Sequence, residues 1–212
     1  VKQVGFRWSI VELLAVRDSK YSIDDIKQRD WLKNPLQVLS YGGGVQSSAM
    51  LLLIEQKLLP KPDVIIFSDT GSELPETEQF VEQIARPFVE DILEIPFFIV
   101  NNPDRGALHN YYTKRRTMPM VGQRSCTSQF KILPLRRLVR KIVGNQNGKL
   151  LAQMWLGITT DEEQRRNSAS DVIWAQPTYP LLDIHRISRK ECVKILKDTD
   201  WVVQKSGCFC CP

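Results

Sequence analysis

Leu39-Ser-Tyr-Gly-Gly-Gly-Val-Gln-Ser-Ser48 is the stretch on which the fold turns. Leu36 to Tyr41 reads as a strand, and residues 47–58 carry apolar side chains at helical spacing and stop before Pro60. Gly42, Gly43 and Gly44 therefore join a strand to a helix. Glycines let the backbone turn tightly and come close to an anion. The free N–H groups and the dipole of the helix N-terminus then face that anion. Ser40, Ser47 and Ser48 add hydroxyls around the loop. A plain strand-to-helix turn needs one glycine, not three. Two commoner phosphate motifs fail: Gly144-Asn-Gln-Asn-Gly148-Lys149 has the wrong spacing for a P-loop, and Ser47 stands where a dinucleotide fingerprint needs its third glycine.

Working outward, Asp63-Val-Ile-Ile-Phe-Ser-Asp69 is a nearly continuous apolar run, as expected of a buried parallel strand. Thr70-Gly-Ser-Glu-Leu74 leads to a helix with Pro75 in its first turn that runs to about Glu90. Ile95 to Val100 is a third strand. Residues 101–125, polar and broken by Gly and Pro, read as a long loop. Lys131 to Lys141 reads as a basic helix, Leu150 to Gly157 as a fourth strand, and Val172–Ile184 as holding a further strand near Tyr179. Ser188-Arg-Lys-Glu191 opens a helix ending near Thr199. The alternation predicts an α/β fold of three layers, a mostly parallel twisted sheet with helices on both faces. Residues 1–34 read as an N-terminal helical extension with capping boxes at Ser9–Glu12 and Ser22–Asp25. Residues 35–212 read as one nucleotide-binding domain.

The chain has 212 residues, 42% of them hydrophobic and 25% charged, which excludes disorder over most of its length. No apolar run is long enough to span a bilayer, and no secretory leader is legible. The formal net charge of +5 favours anionic partners such as nucleotides or nucleic acid. Of the five cysteines, Cys208, Cys210 and Cys211 crowd together, unlike a disulfide scaffold. A reducing, cytoplasmic setting with metal or redox chemistry fits better. The Cys208-x-x-Cys211 pair can grip Zn or iron or act as a redox couple. The alternatives of sulfur carriage and inert packing stay open. Cys192, at an apolar helix position, reads as core. The cysteine cluster at the last residues reads as a chain cut short. His109 and His185 have no spacing that suggests a metal pair or a nucleophile–base arrangement.

Six segments together resemble the phosphoadenosine phosphosulfate (PAPS) reductases and N-type ATP pyrophosphatases, in family order over about residues 36–212. Gly42-Gly-Gly-Val-Gln-Ser47 is similar to their pyrophosphate-binding loop, Ser-Gly-Gly-x-Asp-Ser, with Gly42 in place of Ser and Gln46 in place of Asp. Asp69-Thr-Gly71 with Leu74-Pro-Glu-Thr77, Arg124-Ser-Cys126 with Lys131 and Pro134, Gly157-Ile-Thr-Thr-Asp-Glu-Glu-Gln-Arg165, Tyr179-Pro-Leu-Leu-Asp183, and Gly207-Cys-Phe-Cys-Cys-Pro212 resemble the later motifs.

The resemblance implies an adenine nucleotide, ATP or PAPS, with Mg²⁺, held by Ser40, Gly42, Gly43, Gly44, Gln46, Ser47, Ser48, Asp69, Thr70, Gly71 and Gly157. It implies chemistry carried by Lys131, Arg165 and Ser47, with Arg166 as a further cation. ATP would be cleaved to AMP and pyrophosphate to activate an acceptor for sulfur transfer. The alternatives are sulfonucleotide reduction and a non-catalytic nucleotide- or cluster-binding module. DNA or tRNA is the expected acceptor, with a sulfur-donor protein as a second partner. The chain also resembles in part the DNA phosphorothioation proteins, whose similar cysteines hold an iron–sulfur cluster. Such a cluster, or Zn, is the metal expected on Cys126, Cys208 and Cys211.

Overall fold

The computed structural model of the chain describes residues 16–17, 19–27, 30–120, 123–145, 148–168, 172–204 and 206–209. Strand β1 is Val16–Arg17, β2 Leu36–Tyr41, β3 Val64–Ser68, β4 Phe97–Val100, β5 Ala152–Trp155 and β6 Ala175–Thr178. They form one sheet in the order β1-β4-β3-β2-β5-β6. β1 runs antiparallel on the β4 edge, and the other pairings are parallel.

Side-chain alternation divides the core into two halves. Leu39, Tyr41, Ile65, Phe67, Phe97, Ile99 and Trp155 project to one face. There they meet α2 (Val45–Glu55), α3 (Pro75–Phe80) and α7 (Arg189–Lys197). Leu36, Val38, Val64, Ile66, Phe98, Val100 and Met154 project to the other, against α5 (Leu133–Val143) and Ile26 of α1 (Ile23–Ile26). The sheet thus has helices on both faces, the three layers expected of an α/β chain. Helix α2 is buried at Val45 and from Ser47 through Ile54 because α7 covers the side it turns away from the sheet, so it is apolar nearly all round.

Several local readings are corrected. Residues 101–125 are not all loop, since α4 spans Leu108–Arg115. The strand expected near Tyr179 ends at Thr178, and Tyr179 instead precedes the short helix α6 (Pro180–Asp183). The helix opened by Pro75 continues past Glu90 through wide turns at Val81–Ala85 and Phe88–Ile92, which flank Pro87. Proline has no N–H to give the preceding turn, and a widened turn relieves the lost bond and the ring clash. Another wide turn, Thr127–Ile132, leads into α5 just before Pro134. The Ser22–Asp25 capping box is formed, with both reciprocal bonds. The Ser9–Glu12 box lies outside the described residues.

Candidate functional site

The five parallel strands read β4-β3-β2-β5-β6, so the chain reverses direction across the sheet between β2 and β5. Ligands of open α/β sheets bind at the carboxyl ends of strands beside such a reversal. The triple-glycine loop sits there. Gly43 has φ +67, and a Cβ on it would lie 2.9 Å from Thr77 Cγ2. Gly157, just after β5, brings the neighbouring strand end against the same loop. A Cβ there would stand 3.3 Å from both the Gln46 Cβ and the Ser47 amide nitrogen.

Ser47 braces this loop. Its hydroxyl accepts from the Gly42 and Gly44 amides, both at 3.3 Å, and donates to the Gly44 carbonyl at 3.1 Å. The first-turn amides of α2 have no carbonyl a turn earlier to bond, so they are available to an anion at the loop. Ser48 is fully buried, with its hydroxyl 3.0 Å from the Tyr41 hydroxyl beneath the loop. Burial raises the Tyr41 pKa, so the phenol stays protonated. Ser40 is half-buried in β2, in register with Ile66 of β3.

Gln46 stands where the resembled families carry Asp. Its amide donates to Glu162 Oε2 at 3.3 Å, and Arg165 holds Glu162 Oε1 at 2.7 Å. An aspartate would set two carboxylates against each other there, whereas an amide can donate. Arg166 is engaged elsewhere, 2.9 Å from Asp183 and over the Tyr179 ring. The Tyr179 hydroxyl in turn donates to the Arg166 carbonyl, and burial raises its pKa.

The loop after β3 forms the second wall. Asp69 is buried and accepts the Gly71 amide at 2.7 Å. Gly71 has φ +64, and a Cβ there would be 2.9 Å from the Ala107 Cβ, which fixes the start of α4 against this loop. Thr70 donates to Glu73 Oε1 at 3.0 Å, and its carbonyl accepts the Leu108 amide at 2.8 Å. Lys131 reaches the same Glu73 oxygen at 3.1 Å. The Glu73 side chain is wholly buried, and its Oε2 has no hydrogen-bond partner among the described residues. Glu73 was legible in the sequence only as a loop residue; its burial between Thr70 and Lys131 is a product of the fold.

The C-terminal segment lies across both walls. Glu73 and Cys208 form an antiparallel bridge, and the Phe209 amide donates to the Ser72 carbonyl at 3.0 Å. The Cys208 thiol is 3.3 Å from Thr70 Oγ1 and 3.9 Å from Glu73 Oε1. Ser206 rests on the glycine loop, its Oγ 2.6 Å from where a Gly44 Cβ would be. The structure therefore brings Gly42–Ser47, Asp69–Gly71, Gly157, Lys131 and Cys208 to one end of the sheet. Among the described residues no three of His, Cys, Asp and Glu converge as a metal set, and Cys126 and Cys208 are thiols outside any disulfide. Cys210 and Cys211 lie outside the described residues. Cys192 is fully buried, and burial, with Glu191 beside it, pushes its thiol up to about 12. Among the described residues no helix is long and apolar enough to cross a membrane.

Comparison with known proteins agrees with this fold. A family model, the phosphoadenosine phosphosulfate reductase domain, matches residues 37–189. The "uncharacterized nin region protein ORF290" of Escherichia phage lambda is 28% identical, over 61% of this chain and 50% of the phage protein. The chain thus spans half the length of that relative. The solved PAPS reductase from Candida auris, crystallised as a phosphate complex, superposes with a TM-score of 0.53 at 13% identity. That match covers 84% of this chain and 80% of the other, and at such low identity it supports the fold alone.

Proposed function

This chain belongs to the phosphoadenosine phosphosulfate reductase domain family, and from that premise we propose that it binds an adenine nucleotide at the triple-glycine loop and cleaves ATP to AMP and pyrophosphate to activate an acceptor for sulfur transfer. One observation carries the reading: Gly43, at positive φ, and Gly157, in close contact with the loop, leave the N-terminus of α2 open to a polyanion at the reversal of the sheet. The phosphate recorded with the Candida auris structure is in keeping with an anion in this fold.

The roles follow from position. The first-turn amides of α2 and the Gly42–Gly44 backbone hold phosphate, while Ser47 keeps the loop in shape. Lys131 and Arg165 each carry a positive charge to the mouth, balanced at rest by Glu73 and Glu162. Moving either toward developing phosphate charge stabilises the transition state. Mg²⁺ would enter with the nucleotide and neutralise phosphate charge, with Asp69 the carboxylate at the strand end. An iron–sulfur cluster or Zn on Cys126, Cys208 and Cys211 belongs to the same reading. Of these three cysteines, Cys126 and Cys208 are among the described residues and both are thiols outside any disulfide, and no step is assigned to the metal.

A second reading draws on the Cys208 thiol beside Thr70. In sulfonucleotide reduction a thiolate attacks the sulfur of PAPS. An S–S bond forms, the S–O bond to the nucleotide breaks, and adenosine bisphosphate leaves. A second thiol must then release sulfite. Incubation of the chain with ATP and with PAPS, scoring pyrophosphate and sulfite, separates the two. Pyrophosphate from ATP is the expected result. Sulfite from PAPS, lost in Cys208→Ser, would replace it with the second reading. Neither product, with nucleotide still bound, would make the domain a binding module.

A further inference from the structure

Residues 101–150 carry eleven Lys and Arg against a single acidic residue, Asp104. The chain as a whole is only +5, so the positive charge is concentrated on this segment and the remainder is net acidic. Part of the segment's charge is absorbed within the fold. Lys131 pairs with Glu73, Arg137 with Asp104, and Arg140 lies over the Trp174 ring. Lys114, Arg115, Arg116 and Arg124 are exposed, and among the described residues no acidic side chain pairs with them.

Of these, Arg116 lines a pocket of about 450 Å³ between α4 and the C-terminal segment, together with His109, Tyr112, Met118 and Phe209. Lys114 and Arg115 precede it in the last turn of α4. Apart from Arg116, the pocket wall is formed by aromatic rings, the Met118 thioether, two threonines and a proline. Phe209 is 58% exposed, and its ring centroid lies 5.4 Å from that of His109. His109 is fixed in turn, with Nδ1 2.9 Å from the Ser72 hydroxyl. Tyr112 is held by its hydroxyl, 3.1 Å from that of Ser125. The pocket is therefore an aromatic recess edged by Arg116, with Lys114 and Arg115, the latter over the Tyr111 ring, in the adjoining turn of α4. It also adjoins the candidate nucleotide site, because Cys208, next to Phe209, touches Thr70.

We propose that this recess binds a splayed base of a single-stranded nucleic acid, which is the acceptor of the reaction. Exposed aromatic faces stack any base, and a basic rim tracks the phosphates on either side. A duplex keeps its bases paired and cannot place one in the recess. An acidic peptide would use the cations but gain little from the aromatic wall. The inference deepens the proposed function and rests on it for the acceptor's role, whereas strand binding itself is measured independently.

The test is fluorescence anisotropy with a short labelled single strand, with a duplex, polyglutamate and anionic vesicles as competitors, alongside calorimetry of Mg-ATP. The single strand should bind most tightly. Lys114→Gln with Arg116→Asn should flatten the log–log salt slope by about 1.4, because each single-strand phosphate contact contributes about 0.7. Asn suits the left-handed backbone of Arg116, φ 53. Phe209→Ala should weaken the strand about tenfold, the scale of one lost base stack, and Phe209→Trp should restore it. Mg-ATP affinity should not change in any of these variants. Strand binding indifferent to Phe209, matched by polyglutamate or the duplex, or surpassed by vesicles, would overturn the proposal. Failure of the native chain to bind Mg-ATP while the strand still binds would overturn the nucleotide reading and leave this interface standing.

Discussion

Gln46 is the residue at which this chain departs most plainly from the loop it resembles, and its neighbours give the reason. The amide bridges to Glu162, which Arg165 already holds. Gln46→Asp should therefore weaken the fold by about 1 kcal/mol instead of improving the site, since a donor becomes a repelling carboxylate. Glu162→Gln in that background should recover most of the loss, read from urea midpoints. Additive losses would mean that the two side chains do not interact. Cys192 gives a second prediction. Its thiol is raised to about 12 by burial, against about 8.5 in an unfolded chain. The stability this shift confers is complete below the unfolded value and is lost as pH rises toward the folded one. Iodoacetamide at pH 8.5 should modify Cys192 only after denaturation, as mass spectrometry of the native chain would show. Rapid native labelling would contradict its placement in the core. At this scale the glycines were legible, because triple glycine has few structural uses. Glu73 was not. Nothing in Thr70-Gly-Ser-Glu-Leu74 tells that a glutamate will be buried until Lys131 and Cys208, distant in sequence, close over it.

The elements were legible where burial alone decides them. The run from Asp63 to Asp69 could only be a covered strand, and all of β3 is buried. Helix α2 follows from its apolar run, and its packing sets its worth. Leu51 is fully buried in the cluster between the sheet and α7. Leu51→Ala should cost about 2–5 kcal/mol, measured by denaturant unfolding, with Leu51→Met costing less than about 1.5. A loss below 1 kcal/mol would mean that α7 does not cover α2 as described. Helix α4 was missed for a physical reason. Its sequence is polar, and only Leu108 among its residues is buried. Its start is set by tertiary bonds from Thr70 and Ser72 and by the close approach of Gly71 to Ala107, none of which local periodicity records. The wide turns around Pro87 were equally hidden, since the sequence shows the proline but not how the helix absorbs it.

For the whole molecule, the order of the parallel strands and the position of the glycine loop jointly locate the site. Motifs scattered between residues 42 and 208 converge on one end of the sheet because βαβ connections return each strand's carboxyl end to the same side. Family order in the sequence was enough to foresee that convergence, whereas the C-terminal segment folding over the loop through Ser206 and Cys208 was not. The central claim is that this end holds an adenine nucleotide through the glycine loop. The most direct measurement is calorimetric titration of Mg-ATP into the native chain and into Gly43→Ala, with circular dichroism verifying the fold of each. A Cβ at Gly43 meets Thr77 at 2.9 Å and forces an L residue into φ +67, at a strain of about 1–2 kcal/mol. The account predicts binding to the native chain and at least about tenfold weaker binding to a folded variant. Equal affinity in both, or no binding of ATP or PAPS by the native chain, would contradict it.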